Sequence, residues 1–280
     1  MRRLAAALLA VILVVPAPRA AAEEPRPRIL LANDDGIEAP GLAAAYAELS
    51  KLGEVTVAAP DTNQSGMGHA VSYALPIFVR TIEPLVPPPS AARQGRWFRI
   101  GATPASCVRL ALSTLLKKKP DVVVSGINRG DNAGLTLYVS GTVAAAREAA
   151  FDGIPAVAAS LVSSPKMDYA PGAAVLARIV RETLARGLPR GTFLSVNIPA
   201  STIRGIRVAS HSLRTGTNAF ERQESPRGEV YYWNVWTEPV DLESQTDVAA
   251  ITDGYVAVTP LRVDVNDSEA RKAIEAWELR

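Results

Sequence analysis

The sequence predicts an α/β fold: a three-layer, mostly parallel, Rossmann-like sheet with helices on both faces and a β-hairpin extension near the C-terminus. Three observations predict it. Short apolar strand patterns alternate with Ala/Leu-rich helical patterns from Arg28 to Ile198. Several of the strand patterns, such as Val122–Val124, are uninterrupted apolar runs of the kind buried on both faces. Beyond Gly205 the pattern shifts to alternating segments rich in Tyr and Trp, such as Gly228–Val235, which read as antiparallel hairpin strands.

In chain order, Arg28–Ala32 reads as a strand and Gly41–Leu52 as a helix, with Pro40 near its first turn, where a missing N–H is no loss. Glu54–Ala59 is the next strand, stopped by Pro60-Asp61. A long loop and a segment holding Pro84, Pro87, Pro88 and Pro89 follow, at the surface. Arg96–Ile100 reads as a strand. Thr103 is an N-cap and Pro104 the first position of a helix over Ala105–Leu116. Asp121–Ser125 is a buried strand, Thr142–Phe151 a helix, Ile154–Leu161 a strand, Pro171–Arg186 a helix and Phe193–Ile198 a strand. Gly254–Thr259 is a further strand, and Ser268–Arg280 closes the chain as a helix.

The N-terminus has a different character. Met1-Arg2-Arg3 is basic, Leu4–Val15 is apolar, and small residues run to Ala20-Ala21-Ala22. This is the layout of a secretory signal peptide with an A-x-A cleavage site, and its apolar run is too short to span a bilayer stably. Residues 1–22 are therefore read as a leader removed on export to a bacterial periplasm. Residues 23–280 form the mature domain, with 205–245 as its hairpin and oligomerisation extension. After cleavage no membrane association is expected.

Apolar residues make up 48% and charged residues 21% of the 280, an ordinary globular profile. A net charge of +2 gives no warrant for nucleic-acid binding, and the one basic triplet, Lys117-Lys118-Lys119, suits a helix C-terminus. Cys107 is the only cysteine, so no intrachain disulfide can form; its helical apolar setting makes it a small buried hydrophobe. Tyr231, Tyr232, Trp233 and Trp236 fit oligomer packing better than a base-stacking platform.

The chemistry concentrates where strands end. The first strand runs into Asn33-Asp34-Asp35-Gly36, and adjacent carboxylates repel unless a positive charge lies between them. Alone this is as much a surface turn as a cation site. Three further polar, glycine-containing loops tip the balance: Ala59–Gly66, Ser125–Asn132 and Val139–Thr142, all expected at the same sheet edge. Asp34 and Asp35 provide charged oxygens to which Ser65 and Asn128 can add neutral ones, a set suited to Mg²⁺, Mn²⁺ or Ca²⁺. Ser140-Gly141-Thr142 sets backbone N–H groups at a helix start, a cradle for phosphate. Cation plus cradle points to phosphoester hydrolysis with water as nucleophile. With only His69 and His211, a multi-histidine zinc cluster cannot be built, and neither G-x-S-x-G nor G-x-x-x-x-G-K-[ST] occurs. The order Asn33-Asp34-Asp35 also disfavours a covalent-aspartate phosphatase, which needs D-x-D.

From about Arg28 to Leu261 the chain resembles the SurE survival-protein family of metal-dependent nucleotidases. The resemblance rests on Ile29–Ile37 with Ala39-Pro40-Gly41, Ala59-Pro60-Asp61 with Asn63 and Ser65-Gly66, Thr103-Pro104-Ala105, Pro120–Gly130 with Asn132, Ser140–Ala150, Gly153–Ala156, Ser195–Pro199, and Thr246-Asp247 with Gly254–Val256. It implies hydrolysis of nucleoside 5′- and 3′-monophosphates, with polyphosphate as a side substrate. It also implies that Asp34, Asp35, Ser65 and Asn128 bind a divalent metal, with Asn33, Asn63, Asn132, Ser140, Gly141 and Thr142 around the phosphate. A C-terminal extension exchanged within a homodimer or homotetramer follows as well, and the family is generally cytoplasmic.

Departures from the family pattern bear on substrate preference. Thr62 and Gln64 stand where an arginine is usual, Ser106 where an aspartate is usual, and Asp131 where a small residue is common. His69, in the loop that holds Ser65, is either a general acid for the leaving alkoxide or, the favoured reading, a partly buried structural residue; His211 is read as structural. The competing functions are an exopolyphosphatase or general acid phosphatase, and an inactive exported metal- or nucleotide-binding protein.

Overall fold

The first strand sets the layering. In β1 (Arg28–Ala32), Ile29 and Leu31 enter one hydrophobic core while Leu30 and Ala32 enter another, because successive side chains of a strand point to opposite faces. A strand buried on both faces needs a helical layer on each. The structure, a computed structural model, describes residues 26–87, 94–214, 216, 218–237, 243 and 245–279, and it has that three-layer form. The expected signal segment, 1–22, lies outside the described residues.

The remaining strands are β2 (Glu54–Pro60), β3 (Val79–Ile82), β4 (Gln94–Ile100), β5 (Val122–Arg129), β6 (Ala156–Leu161), β7 (Thr192–Ile198), β8 (Ile206–Val208), β9 (Asn218–Glu224), β10 (Val230–Trp236) and β11 (Val256–Arg262). The helices are α1 (Pro40–Leu49), α2 (Pro104–Leu110), α3 (Gly141–Phe151), α4 (Ala170–Arg186), α5 (Asp247–Thr252) and α6 (Ser268–Glu275). One sheet runs β3-β4-β2-β1-β5-β6-β7-β11-β8. Its centre, from β4 to β7, is parallel; β3 and β11 pair antiparallel with β4 and β7. Helices α1 and α4 cover one face through Leu42, Tyr46, Leu176 and Val180, while α2 and α3 cover the other through Cys107, Val108, Val143 and Ala149. Fully burying each such large apolar side chain contributes roughly 1.5–3 kcal/mol. Cys107 is buried as expected, and burial pushes its thiol far above the ordinary range.

This topology creates the site. Strand β1 pairs in parallel with β2 on one side and β5 on the other. The chain builds outward from β1 through β2 to β4, then returns past β1 to start β5. At such a reversal the connections diverge and open a crevice beyond the strand C-termini.

Several elements differ from the sequence reading. Strand β5 continues past Ser125 to Arg129, through a register shift against β6 between Ser125 and Asn128. Gly126 makes this possible: its φ is +130°, and a Cβ there would lie 2.2 Å from the Ala159 carbonyl oxygen. The helix expected over Ala105–Leu116 is α2 followed by a π turn, Ala111–Leu115. Strands β3 and β8 and helix α5 are additional. Helix α6 stops at Glu275 and buries none of its residues.

Strands β9 and β10 form a separate two-stranded antiparallel sheet, pairing Tyr231 with Gln223 and Trp233 with Glu221. Phe220 and Trp233 are 67% and 64% exposed, and an isolated hairpin is at best marginally stable in water. Among the described residues no helix is long and apolar enough to cross a membrane.

Candidate active site

The turn after β1 is held by its own asparagine. Asn33 Nδ2 donates to Gly36 O at 2.8 Å, and the Ile37 amide reaches back to Pro60 O at 2.8 Å. Gly36 has a φ of +101°, with the Thr62–Asn63 peptide packed against its Cα. Asn33 Oδ1 is buried without a partner among the described residues.

Helix α3 meets this turn end-on. Thr142 Oγ1 donates to Asp34 Oδ1, and the amides of Gly141 and Thr142 also bond the Asp34 carboxylate. Gly141 allows the approach, since a Cβ there would lie 2.9 Å from Asp34 Cβ and 3.0 Å from Pro104 Cγ. The first turn of a helix favours an anion through its unpaired N–H groups and dipole. Even so, burial raises the Asp34 pKa above its ordinary 3.8, with those hydrogen bonds only moderating the rise. Asp35 is half-buried, and burial lifts its pKa to about 6; the Arg129 amide, donating to Oδ2 at 2.9 Å, opposes this and the Asp34 charge adds to it. No Lys or Arg side chain forms a salt bridge with either acid among the described residues.

The other loops converge here. The Gln64 amide donates to Asp34 O at 2.7 Å, which seats the β2–β3 loop beside the acid pair. Within that loop Asn63 Oδ1 accepts from the Ser65 amide at 2.7 Å, and both side chains are exposed. Asn128, placed near the end of β5 by the bulge, gives its Nδ2 to Gly130 O at 2.7 Å. Its Oδ1, like Asp35 Oδ1, has no hydrogen-bond partner among the described residues. Ser140 is the N-cap of α3, accepting from the Val143 amide at 3.1 Å. Asn132 is buried, its amide bonded to Asn197 Oδ1 and its Nδ2 to Ser160 Oγ, both at 2.7 Å. Burial raises the pKa of the half-buried Asp131, and the Asp247 charge adds to the rise.

His69 is elsewhere. Its Nε2 lies 2.8 Å from Glu148 Oε2, while its ring packs on Phe151 at a centroid distance of 5.5 Å. Arg109 grips the same carboxylate through Nε at 2.6 Å. Burial pushes Glu148 upward, but the bonds from His69 and Arg109 outweigh it and leave the pKa below the ordinary 4.5.

Sequence reasoning missed four supports. Glu148 and Arg109 form the clamp on His69. Ser106 Oγ accepts from the Ser72 amide at 2.8 Å, pinning the far end of the same loop. Asp247 is buried and accepts from the amides of Gly134 at 2.9 Å and Ser212 at 2.8 Å, which anchors the turn leading into Ser140. Only Asp247 leaves a local trace, as the acid one residue after the N-cap Thr246.

The residues present fit a hard divalent cation. Every candidate donor is an oxygen, and two acids raised by burial form no salt bridge among the described residues, the Arg129 charge only partly easing Asp35. Among the described residues no group of three or more His, Cys, Asp or Glu could hold a metal, so neutral oxygens must complete such a set.

Comparison with known proteins places this arrangement. The family model described as "Survival protein SurE" matches residues 29–218. A 5′-nucleotidase SurE of Geobacter sulfurreducens is 40% identical over 90% of this chain and 94% of its own length. One from Rhodopirellula baltica is 38% identical over 90% of this chain and 99% of its own. The crystal structure of the SurE protein from Aquifex aeolicus superposes with a TM-score of 0.77 at 37% identity, covering 89% of this chain and 98% of that one. The parallel sheet, the acid turn at its switch point and this agreement across most of the sequence assign the chain to the SurE family.

Proposed function

We propose that this chain is a divalent-cation-dependent phosphomonoesterase that hydrolyses nucleoside 5′- and 3′-monophosphates to nucleoside and phosphate. The observation that carries the reading is the buried Asp34–Asp35 pair, seated at the switch point against the start of α3 with no salt bridge to either acid among the described residues. Its relatives in Geobacter sulfurreducens and Rhodopirellula baltica are named 5′-nucleotidase SurE.

In this reading Asp34, Asp35, Ser65 and Asn128 hold Mg²⁺, Mn²⁺ or Ca²⁺. The cation, when bound, polarises the phosphoryl group and activates water. Thr142 and the Gly141 amide keep Asp34 oriented, and Asp35, with one free oxygen, orients the attacking water. Asn63, Asn132 and the Ser140–Thr142 turn surround the phosphate, and Asn33 keeps the acid turn closed. His69 braces the loop. Export through residues 1–22, and packing of the exposed β9–β10 aromatics on a second copy, complete the proposal.

A phosphate-release assay over nucleoside 5′- and 3′-monophosphates and polyphosphate tests it. Activity is expected on the monophosphates, lost with chelator and restored by Mn²⁺ or Mg²⁺. Release only from polyphosphate, or full activity in chelator, would overturn the reading.

A further inference from the structure

Five residues beyond Thr142, Arg147 lines a cavity of about 580 Å³ that neither Asp34 nor Asp35 borders. Arg147 is half-buried, and burial lowers its pKa, an opposition to its charge that no carboxylate offsets. Its guanidinium lies 5.8 Å from the Phe193 ring centroid, a weak substitute for a counter-ion. Arg262, near the end of β11, lines the same cavity and forms no salt bridge among the described residues; Asp264, on the same wall, accepts from the amide and Nδ2 of Asn266 and also feels the Arg262 charge. The third arginine on the wall, Arg109, is matched by Glu148. Among the described residues Arg147 thus has no carboxylate partner, and Arg262 has only the charge of Asp264 near it, without a salt bridge.

Apart from His69, His211 and Asp264, the rest of the wall is apolar and aromatic. Tyr138 and Phe151 are 56% and 51% exposed. Small-molecule sites commonly have volumes of about 300–1,000 Å³, with apolar walls and a few charged groups. Two guanidinium groups offer a phosphate the paired hydrogen bonds through which arginine binds it.

We propose that this cavity is a second anion site, which takes an organic phosphate of mononucleotide size with its phosphate on Arg147 and Arg262 and its planar ring against Tyr138 and Phe151. The assignment does not depend on the reaction at Asp34 and Asp35. Calorimetric titration of the full chain with adenosine 5′-monophosphate, in chelator so that cation-dependent binding is removed, tests it. The wild type and Asp34→Asn should bind alike. Arg147→Gln and Arg262→Gln should each weaken binding by at least about tenfold, and adenosine or inorganic phosphate alone should bind more weakly than the nucleotide. Binding that is absent at millimolar nucleotide, unchanged in both arginine variants, or lost in Asp34→Asn would overturn the site. Arg262 is exposed, so its variant decides the matter if Arg147→Gln fails to fold. If no nucleotide binds and Arg147→Gln instead changes the sedimentation of the ligand-free chain, a second copy covers this face and the site is refuted.

Discussion

His69 Nε2 lies 2.8 Å from Glu148 Oε2, on a carboxylate that Arg109 also holds at 2.6 Å. The contact joins the loop that carries Ser65 to the helix whose first turn holds Asp34. Glu148 is six residues on from Thr142, about 9 Å down the helix axis. In the proposed reading the imidazole, held by Glu148, braces the loop and does not protonate a leaving group. His69→Ala should therefore lose the same small factor in kcat, under about tenfold, for adenosine 5′-monophosphate and for p-nitrophenyl phosphate, whose leaving group needs no proton. A loss confined to the nucleotide would make His69 the general acid.

The same clamp gives a pH dependence. The Glu148 pKa is lowered in the folded state, by the His69 and Arg109 bonds acting against burial. A lowered carboxyl pKa stabilises fully above the unfolded value, near 4.5, and the contribution fades as pH falls through the folded value. Thermal melts of wild type and Glu148→Gln should differ by a constant amount at neutral pH. Loss of charged hydrogen bonds there costs roughly 2 kcal/mol, about 5 °C in Tm for a chain of this size. The gap should narrow steadily below pH 4.5; a gap that widens on acidification would contradict the clamp.

Asp34→Asn separates function from stability. Turnover should fall by orders of magnitude even in saturating cation, because a charged oxygen of the proposed set is lost. In chelator the same variant should melt at or above the wild-type temperature, since burial makes the Asp34 charge costly and asparagine carries none. The Tm gain that Mn²⁺ gives the wild type should vanish in the variant. Near-normal activity in metal-saturated buffer would remove Asp34 from the site.

The layers are legible because buried parallel strands and Ala-rich helices leave strong periodic patterns, and β1 has the expected bounds, Arg28–Ala32. The acid turn is legible as two adjacent carboxylates at a strand end. Other features leave no such pattern. Strand β5 passes through a bulge at Gly126, a backbone device that periodicity does not record, so Asn128 reads as a loop residue. Strand β3 is a four-residue, half-exposed edge strand, and α5 has six residues, too few for a helical repeat to show. The His69–Glu148 pair spans 79 positions and depends on the fold already being formed.

Gly141 shows how tightly the site is joined. The helix start comes so near the acid turn that a methyl group on Gly141 would press on Asp34 Cβ at 2.9 Å and Pro104 Cγ at 3.0 Å. Its backbone is ordinary helix, so the clash alone is at issue. Gly141→Ala must push α3 away from Asp34, stretching the Thr142 hydroxyl bond and the amide contacts, and a displacement near 1 Å in a reacting geometry can cost about a hundredfold. The expected result is a fall in kcat/KM of ten- to a hundredfold with a folded, cooperative melt. Gly66→Ala is the control: its φ is +79°, but nothing lies within 4 Å of the added methyl. That variant should lose about 1 kcal/mol of stability to backbone strain, without the same loss of turnover. Equal kinetic losses in the two would mean that the contact between the helix start and Asp34 does not govern catalysis.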